Sequence, residues 1–243
     1  MKSSIAAISI SLAILISFLI AGNAYKYKFK TNDVISVTGL AEKNFESDLI
    51  VWSGNYSRST TDLKNAYMQL KDDESKIRSY LNNKGIANSE MVFSSIDIQK
   101  QFEDQYNSKG DKIGSVFTGY NLKQVVTVQS KDIDKVEKNS RAVTELIESG
   151  IEFNSSSPSY YYTKLSELKL DLLAKASADA KQRAETIAKN SGSALGGIKK
   201  AVMGVFQITG QNSNEDYSSG GAFNTWSRHK TATITIKIDY SVH

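Results

Sequence analysis

The sequence predicts an α+β fold in which helices cover antiparallel sheet, and three observations predict it. Residues 164–191 carry no Gly or Pro and place Leu165, Leu168, Leu172, Ala176, Ala180, Ala184 and Ile187 at steps of three and four. That is one amphipathic helix roughly 40 Å long. Residues 231–242 alternate strictly, Ile234, Ile236, Ile238 and Tyr240 opposing Thr233, Thr235, Lys237 and Asp239, as a strand with one buried face does. Between residues 49 and 162 the stretches follow the order strand, helix, strand, strand, helix, strand, the split βαβ order.

In chain order, Met1 and Lys2 precede seventeen uncharged residues, 5–21, and then Gly22-Asn23-Ala24. A basic start, an apolar run and small residues at its end predict a secretory signal peptide over 1–24. The run is also close to the shortest that spans a bilayer, so an uncleaved N-terminal anchor stays open. Lys26, Lys28 and Lys30 alternate with Tyr25, Tyr27 and Phe29 over a basic-aromatic linker, 25–32, suited to a membrane surface. One α+β domain is expected over 33–243.

That domain begins with a short strand at 34–40, a break near 42–44, and a second strand at 49–59. Thr60-Thr61-Asp62 is a helix-start signal; Leu63, Ala66, Leu70, Ile77 and Leu81 then share one side, and Gly85 closes the helix. Residues 92–102 alternate with Phe93, Ile96, Ile98 and Phe102 to one side, and 113–129 is again extended. The polar stretch 103–112 between them predicts a hairpin whose tip projects beyond the core. Asp132 caps a second helix with Ile133, Val136, Val143, Leu146 and Ile147 inward and Gly150 at its end. Residues 151–162 form the return strand, interrupted by Pro158, the one proline of the chain. The long third helix ends at Gly192, and strands at 198–209 and 231–242 make a C-terminal β-hairpin. The whole is an antiparallel sheet built on a ferredoxin-like module. Residues 210–230, rich in Asn, Ser and Gly, predict disorder in the free monomer or ordering on assembly.

Composition removes several chemistries. Net charge is +4, or 29 − 26 = +3 without Lys2, and it is spread along the chain. With no basic stripe, nucleic acid is not an expected partner. The absence of cysteine excludes thiol peroxide reduction, a disulfide framework and a lipidated cysteine. His229 and His243 permit neither a triad nor a two-histidine helical metal motif. Asp72-Asp73-Glu74 and Glu103-Asp104 lack calcium-loop spacing and are expected as solvated charge. Met68, Met91 and Met203 are expected in packing. The glycines of 192–197 follow a helix C-terminus, the wrong order for a phosphate loop. Asn55-Tyr56-Ser57 and Asn154-Ser155-Ser156 match the glycosylation sequon, for which chance is the default explanation. No cofactor or metal is expected.

Several ordered motifs carry a resemblance. They are Val34-Ile35-Ser36-Val37-Thr38-Gly39, Gly85-Ile86, Gly119-Tyr120, Gly150-Ile151, and Asp179-Ala180-Lys181-Gln182-Arg183-Ala184 running on to Gly192 and Leu195-Gly196. Over about 33–243 the chain resembles the SIMPL-domain family of bacterial periplasmic oxidative-stress-defence and 26-kDa periplasmic immunogenic type. It departs from the family pattern at Ser47-Asp48, where a Pro-Asp pair is usual, and in lacking prolines in the long hairpin. The resemblance implies export to a bacterial periplasm or cell envelope, no assigned catalytic residues, ring-like or channel-like homo-oligomers in some members, and a role in envelope or oxidative-stress defence.

Two functions are therefore expected. The first is a non-enzymatic envelope protein that self-assembles through its hairpin, terminal strands and helix faces. The second is a periplasmic binding module for a small apolar ligand or partner peptide. The candidate surface is Tyr160, Tyr161 and Tyr162 with Phe223 and Trp226 of the long loop. Membrane association would use residues 5–21 with Lys26, Lys28 and Lys30.

Overall fold

The computed structural model describes residues 2–30 and 33–243, with side chains described for 11–26 and 33–243. Helix α1 (Lys2–Lys30) continues through the stretch expected as a linker. The start of the 5–21 run and the Lys28 and Lys30 side chains lie outside the described residues. Among the described residues no helix is long and apolar enough to cross a membrane.

Strand β1 (Val34–Glu46) is twice as long as expected and shows no break at 42–44. Glu42 and Asn44 face outward there, so their polarity marks the exposed side of a continuing strand and not its end. Through Ser47 and Asp48 the chain passes directly into β2 (Leu49–Thr60). Asp62 caps α2 (Leu63–Asn83) by accepting the Asn65 N–H. Ala66, Leu70, Ile77 and Leu81 are buried as their phase predicts, while Leu63 is exposed. The expected strand at 92–102 is two pieces, β3 (Met91–Phe93) and β4 (Asp97–Tyr106), and β5 (Lys112–Ser130) pairs with both. Helix α3 (Ile133–Ala142), capped by Asp132, runs into a 3-10 segment, Val143–Ser149, whose tighter winding turns Ile147 to solvent. Pro158 separates β6 (Phe153–Ser155) from β7 (Ser159–Tyr161), both paired with β2. Helix α4 (Leu165–Asn190) buries Leu168, Leu172, Ala176, Ala180, Ala184 and Ala188. The stripe advances strictly by four, so Ala188, not Ile187, closes it. Strands β8 (Leu195–Met203) and β9 (Gln207–Gly210) are split around Gly204, and both pair with β10 (His229–Val242).

The strands form two antiparallel sheets, each with its own core. The order β3–β5–β2–β6 is that of a ferredoxin-like module, and α2 and α3 cover it around Trp52, Tyr56, Leu70, Ile77 and Val126. The other sheet has the order β1–β10–β8, with β9 also beside β10, and α4 lies over it against Val37, Ile234, Ile236 and Ile238. Small residues let α4 approach closely: a Cβ on Gly39 would stand 2.1 Å from the Ala176 carbonyl oxygen. The corner between the sheets is fixed by Asp48, whose carboxylate accepts the Thr163 N–H and hydroxyl, each at 2.7 Å.

Candidate functional site

Two surfaces attract attention, the β4–β5 hairpin and the joint between the sheets. All ten residues of β4 are exposed, so the hairpin leaves the core as a ribbon, as expected. Its turn is built by Asn107, whose Oδ1 accepts the N–H groups of Lys109 and Asp111, with Gly110 at a φ of +85°. The register pairs Ile98 with Leu122, Lys100 with Tyr120 and, past a bulge, Phe102 with Phe117. These residues lie on one face. Phe117 stands edge-on to Phe102 at 5.8 Å and to Tyr120 at 5.1 Å. Nearer the tip, Asp104 pairs with Lys112 and accepts the Ser115 hydroxyl.

Ile98 and Phe102, expected on one side of a strand, are 52% and 58% exposed. Alternation finds one-sidedness in a strand, but not whether anything covers the apolar side. At the hairpin root an open groove of about 480 Å³ is lined by Asp62, Leu63, Lys64, Tyr67, Ile98 and Leu122. The groove shares Ile98 and Leu122 with the face that carries the aromatic stripe, and Lys100 and Tyr120 lie between the two; exposed apolar groups gathered on one face in this way are a feature folded monomers seldom leave uncovered.

The joint gathers four of the five residues expected as a partner or ligand surface. Tyr160, Tyr161, Tyr162 and Phe223 meet Phe45, Leu165, Ile208, Asn224 and Lys230 around about 180 Å³ of empty space, none of it wide enough for a water molecule. Trp226 is not among them and stands 66% exposed. The Tyr162 and Phe45 rings are 4.9 Å apart. The Tyr160 hydroxyl donates to Glu137 at 2.8 Å; burial, then that carboxylate, pushes it up to about 12.

Lys230 is 2% exposed, its amine donating to the Asn224 carbonyl oxygen at 2.6 Å and to Asn224 Oδ1 at 3.1 Å. Burial pulls it down to about 8, against the opposing charge of Glu215. Arg228 clasps the two halves. Its guanidinium donates to Glu46 on β1 and to Asp134 on α3, which together, Asp134 first, raise it above the ordinary arginine value. Thr225 accepts the Tyr160 N–H, and Arg228 the Ser47 N–H.

The segment 210–230 is therefore ordered, correcting the disorder expected from its composition. Polar contacts order it more than apolar burial: Gln207 Oε1 accepts the N–H groups of Ser218 and Ala222, and Asn224 donates to Glu215 and Ser227.

The acid runs divide. Asp73, expected as solvated charge, is buried and takes two hydrogen bonds from Arg58, one of them 2.7 Å long. Glu74 pairs with Lys71 and Arg78, while Asp72 remains at the surface with Lys76. Among the described residues no cluster of three His, Asp or Glu is placed to hold a metal. His229 and His243 lie at opposite ends of the β10 segment, roughly 45 Å apart at strand rise. Met91 is buried as expected, but Met68 and Met203 are exposed.

Sequence reasoning missed Asp73, Arg228 and Lys230. For two of them a signal existed: Asp73 is in helical phase between Leu70 and Ile77, and Lys230 in strand phase with Ala232 and Ile234.

A family model described as "SIMPL: Protein of unknown function (DUF541)" matches residues 35–241. No curated protein matches the chain.

Proposed function

The chain belongs to the SIMPL family, and from that premise we propose that it is an exported, non-enzymatic protein of the bacterial periplasm or cell envelope that self-assembles into a homo-oligomer and contributes to envelope or oxidative-stress defence. One observation carries the assembly reading: the hairpin holds Ile98, Phe102 and Phe117 exposed on one face, away from the core that could otherwise bury them. Covering such a stripe with a second copy removes apolar area from water at about 25 cal/mol per Å². The non-catalytic reading is supported by composition, since the chain has no cysteine and its two histidines sit at opposite ends of one strand.

Analytical ultracentrifugation of the doubly substituted F102D/F117D chain tests the hairpin. The expected result is a much smaller species with unchanged circular dichroism. An unchanged assembly would remove the hairpin from the contact. A second reading, a binding module for a small apolar ligand, is favoured by the 480 Å³ groove at the hairpin root. Saturable binding of an apolar dye to a monomeric chain, abolished by Tyr67→Asp, would select it.

A further inference from the structure

The sheet under α4 ends at β1 on one side and at β8 on the other, and neither outer edge carries a further strand among the described residues. Asp33 accepts the Val242 N–H, so odd residues of β1 exchange hydrogen bonds with β10 and even residues turn their N–H groups outward. Leu40 shows the consequence: its outward N–H is taken by Asp179 of α4 at 2.9 Å. The same groups of Ser36 and Thr38 meet no partner among the described residues. Beside them the flank of α4 overhangs the edge, leaving a groove of about 700 Å³ lined by Val37, Thr38, Asp179, Gln182, Arg183, Thr186 and Ile187. A strand beside a helix with unpaired backbone donors is built for strand addition.

We propose that this groove receives β8 of a second copy. Symmetric pairing of β1 with β1 is blocked, because α4 packs directly over β1 at Gly39 and two such helices would occupy the same space. The added strand must be bare on that face. β8 is bare: its residues from Ile198 to Met203 are exposed, with Ile198, Ala201 and Met203 on the side that α4 occupies elsewhere in the sheet. Under the overhang they would meet Val37 and Ile187. Charge selects the same pairing, since β8 carries only Lys199 and Lys200 while the unclasped open-face charge of β1 is Glu42. Like edges would repel and unlike edges attract. Both strands run antiparallel to β10, so a copy that keeps its helix on the same face brings β8 alongside β1 in parallel. The contact is heterologous and repeats from copy to copy. It rests on the self-assembly reading and adds a contact apart from the hairpin.

The cysteine-free chain permits a direct test. Full-length chains carrying Thr38→Cys or Leu40→Cys are mixed with chains carrying Lys200→Cys or Val202→Cys under mild oxidation. Glu148→Cys, exposed near the end of the 3-10 segment and outside both proposed contacts, supplies the collision background. The expected result is a disulfide-linked heterodimer well above that background in at least one mixture, abolished by adding Ser36→Pro, which removes an outward N–H without touching the ladder to β10. Cross-links only between identical variants, or none above background in a chain that light scattering shows to be assembled, would overturn the β1–β8 contact while leaving self-assembly standing. A chain that stays monomeric at every concentration overturns both.

Discussion

Gly39→Ala tests how α4 is seated. The new methyl carbon would lie 2.1 Å from the Ala176 carbonyl oxygen, 2.7 Å from the Ala180 nitrogen and 2.8 Å from the Ala180 methyl. Ordinary contact begins near 3.4 Å, so the helix must rise by 3.4 − 2.1 = 1.3 Å, and two of the three obstacles are backbone that cannot rotate aside. A gap of about 1 Å forfeits up to half of each dispersion contact beneath the helix, and overpacking of this kind costs about 1–3 kcal/mol. Losing the Leu40 to Asp179 hydrogen bond adds about 1 kcal/mol. Relief of glycine's chain entropy returns about 0.5–1 kcal/mol. The net expectation is a loss of about 2 kcal/mol, read as a lower urea midpoint at unchanged slope. Gly114→Ala, where nothing lies within 4 Å, is the matched control and should be neutral or slightly stabilising. Equal midpoints for the two variants would refute the close seating of α4.

Asp73→Ala strands the Arg58 guanidinium against buried surface and should cost about 3 kcal/mol in urea unfolding, whereas Asp72→Ala on the same turn should change little. Lys230 should make stability depend on pH. Between about 8 and the ordinary lysine value of 10.5 the unfolded chain binds a proton that the folded chain refuses, so its contribution rises with pH through that window and is flat below it. Tyr160, folded at about 12, works the other way above pH 10, so the clean interval is pH 8–10; over it, Lys230→Met should unfold with a flatter profile than the parent. Ser47 holds a buried hydroxyl with no hydrogen-bond partner among the described residues, so Ser47→Ala should be neutral or stabilising by up to about 1 kcal/mol in thermal unfolding.

What could be read from the chain, and what could not, follows from which forces act locally. The α4 stripe, the Asp62 and Asp132 caps and the left-handed glycines at 85, 150 and 192 depend on neighbours within a turn, and each is where its pattern points. The split βαβ order was legible as well, and the strand order of that sheet follows it. The division into two sheets was not. It depends on β1 running unbroken past polar Glu42 and Asn44 to pair with β10, a partner almost two hundred residues away.

Charge also hid burial: Asp73 and Lys230 have buried phase, but their partners Arg58 and Asn224 are identified only by the tertiary structure. The four aromatic residues of the joint were legible as a group, since Tyr160–Tyr162 and Phe223 do converge, while Trp226 does not. That the hairpin's apolar face lacks a cover within the chain could not be read from alternation at all.

Light scattering of the 25–243 chain across a concentration series bears most directly on the central claim. The account predicts one fixed mass, several times that of a single chain, that holds on dilution and falls in the F102D/F117D variant. A single-chain mass at every concentration would contradict it.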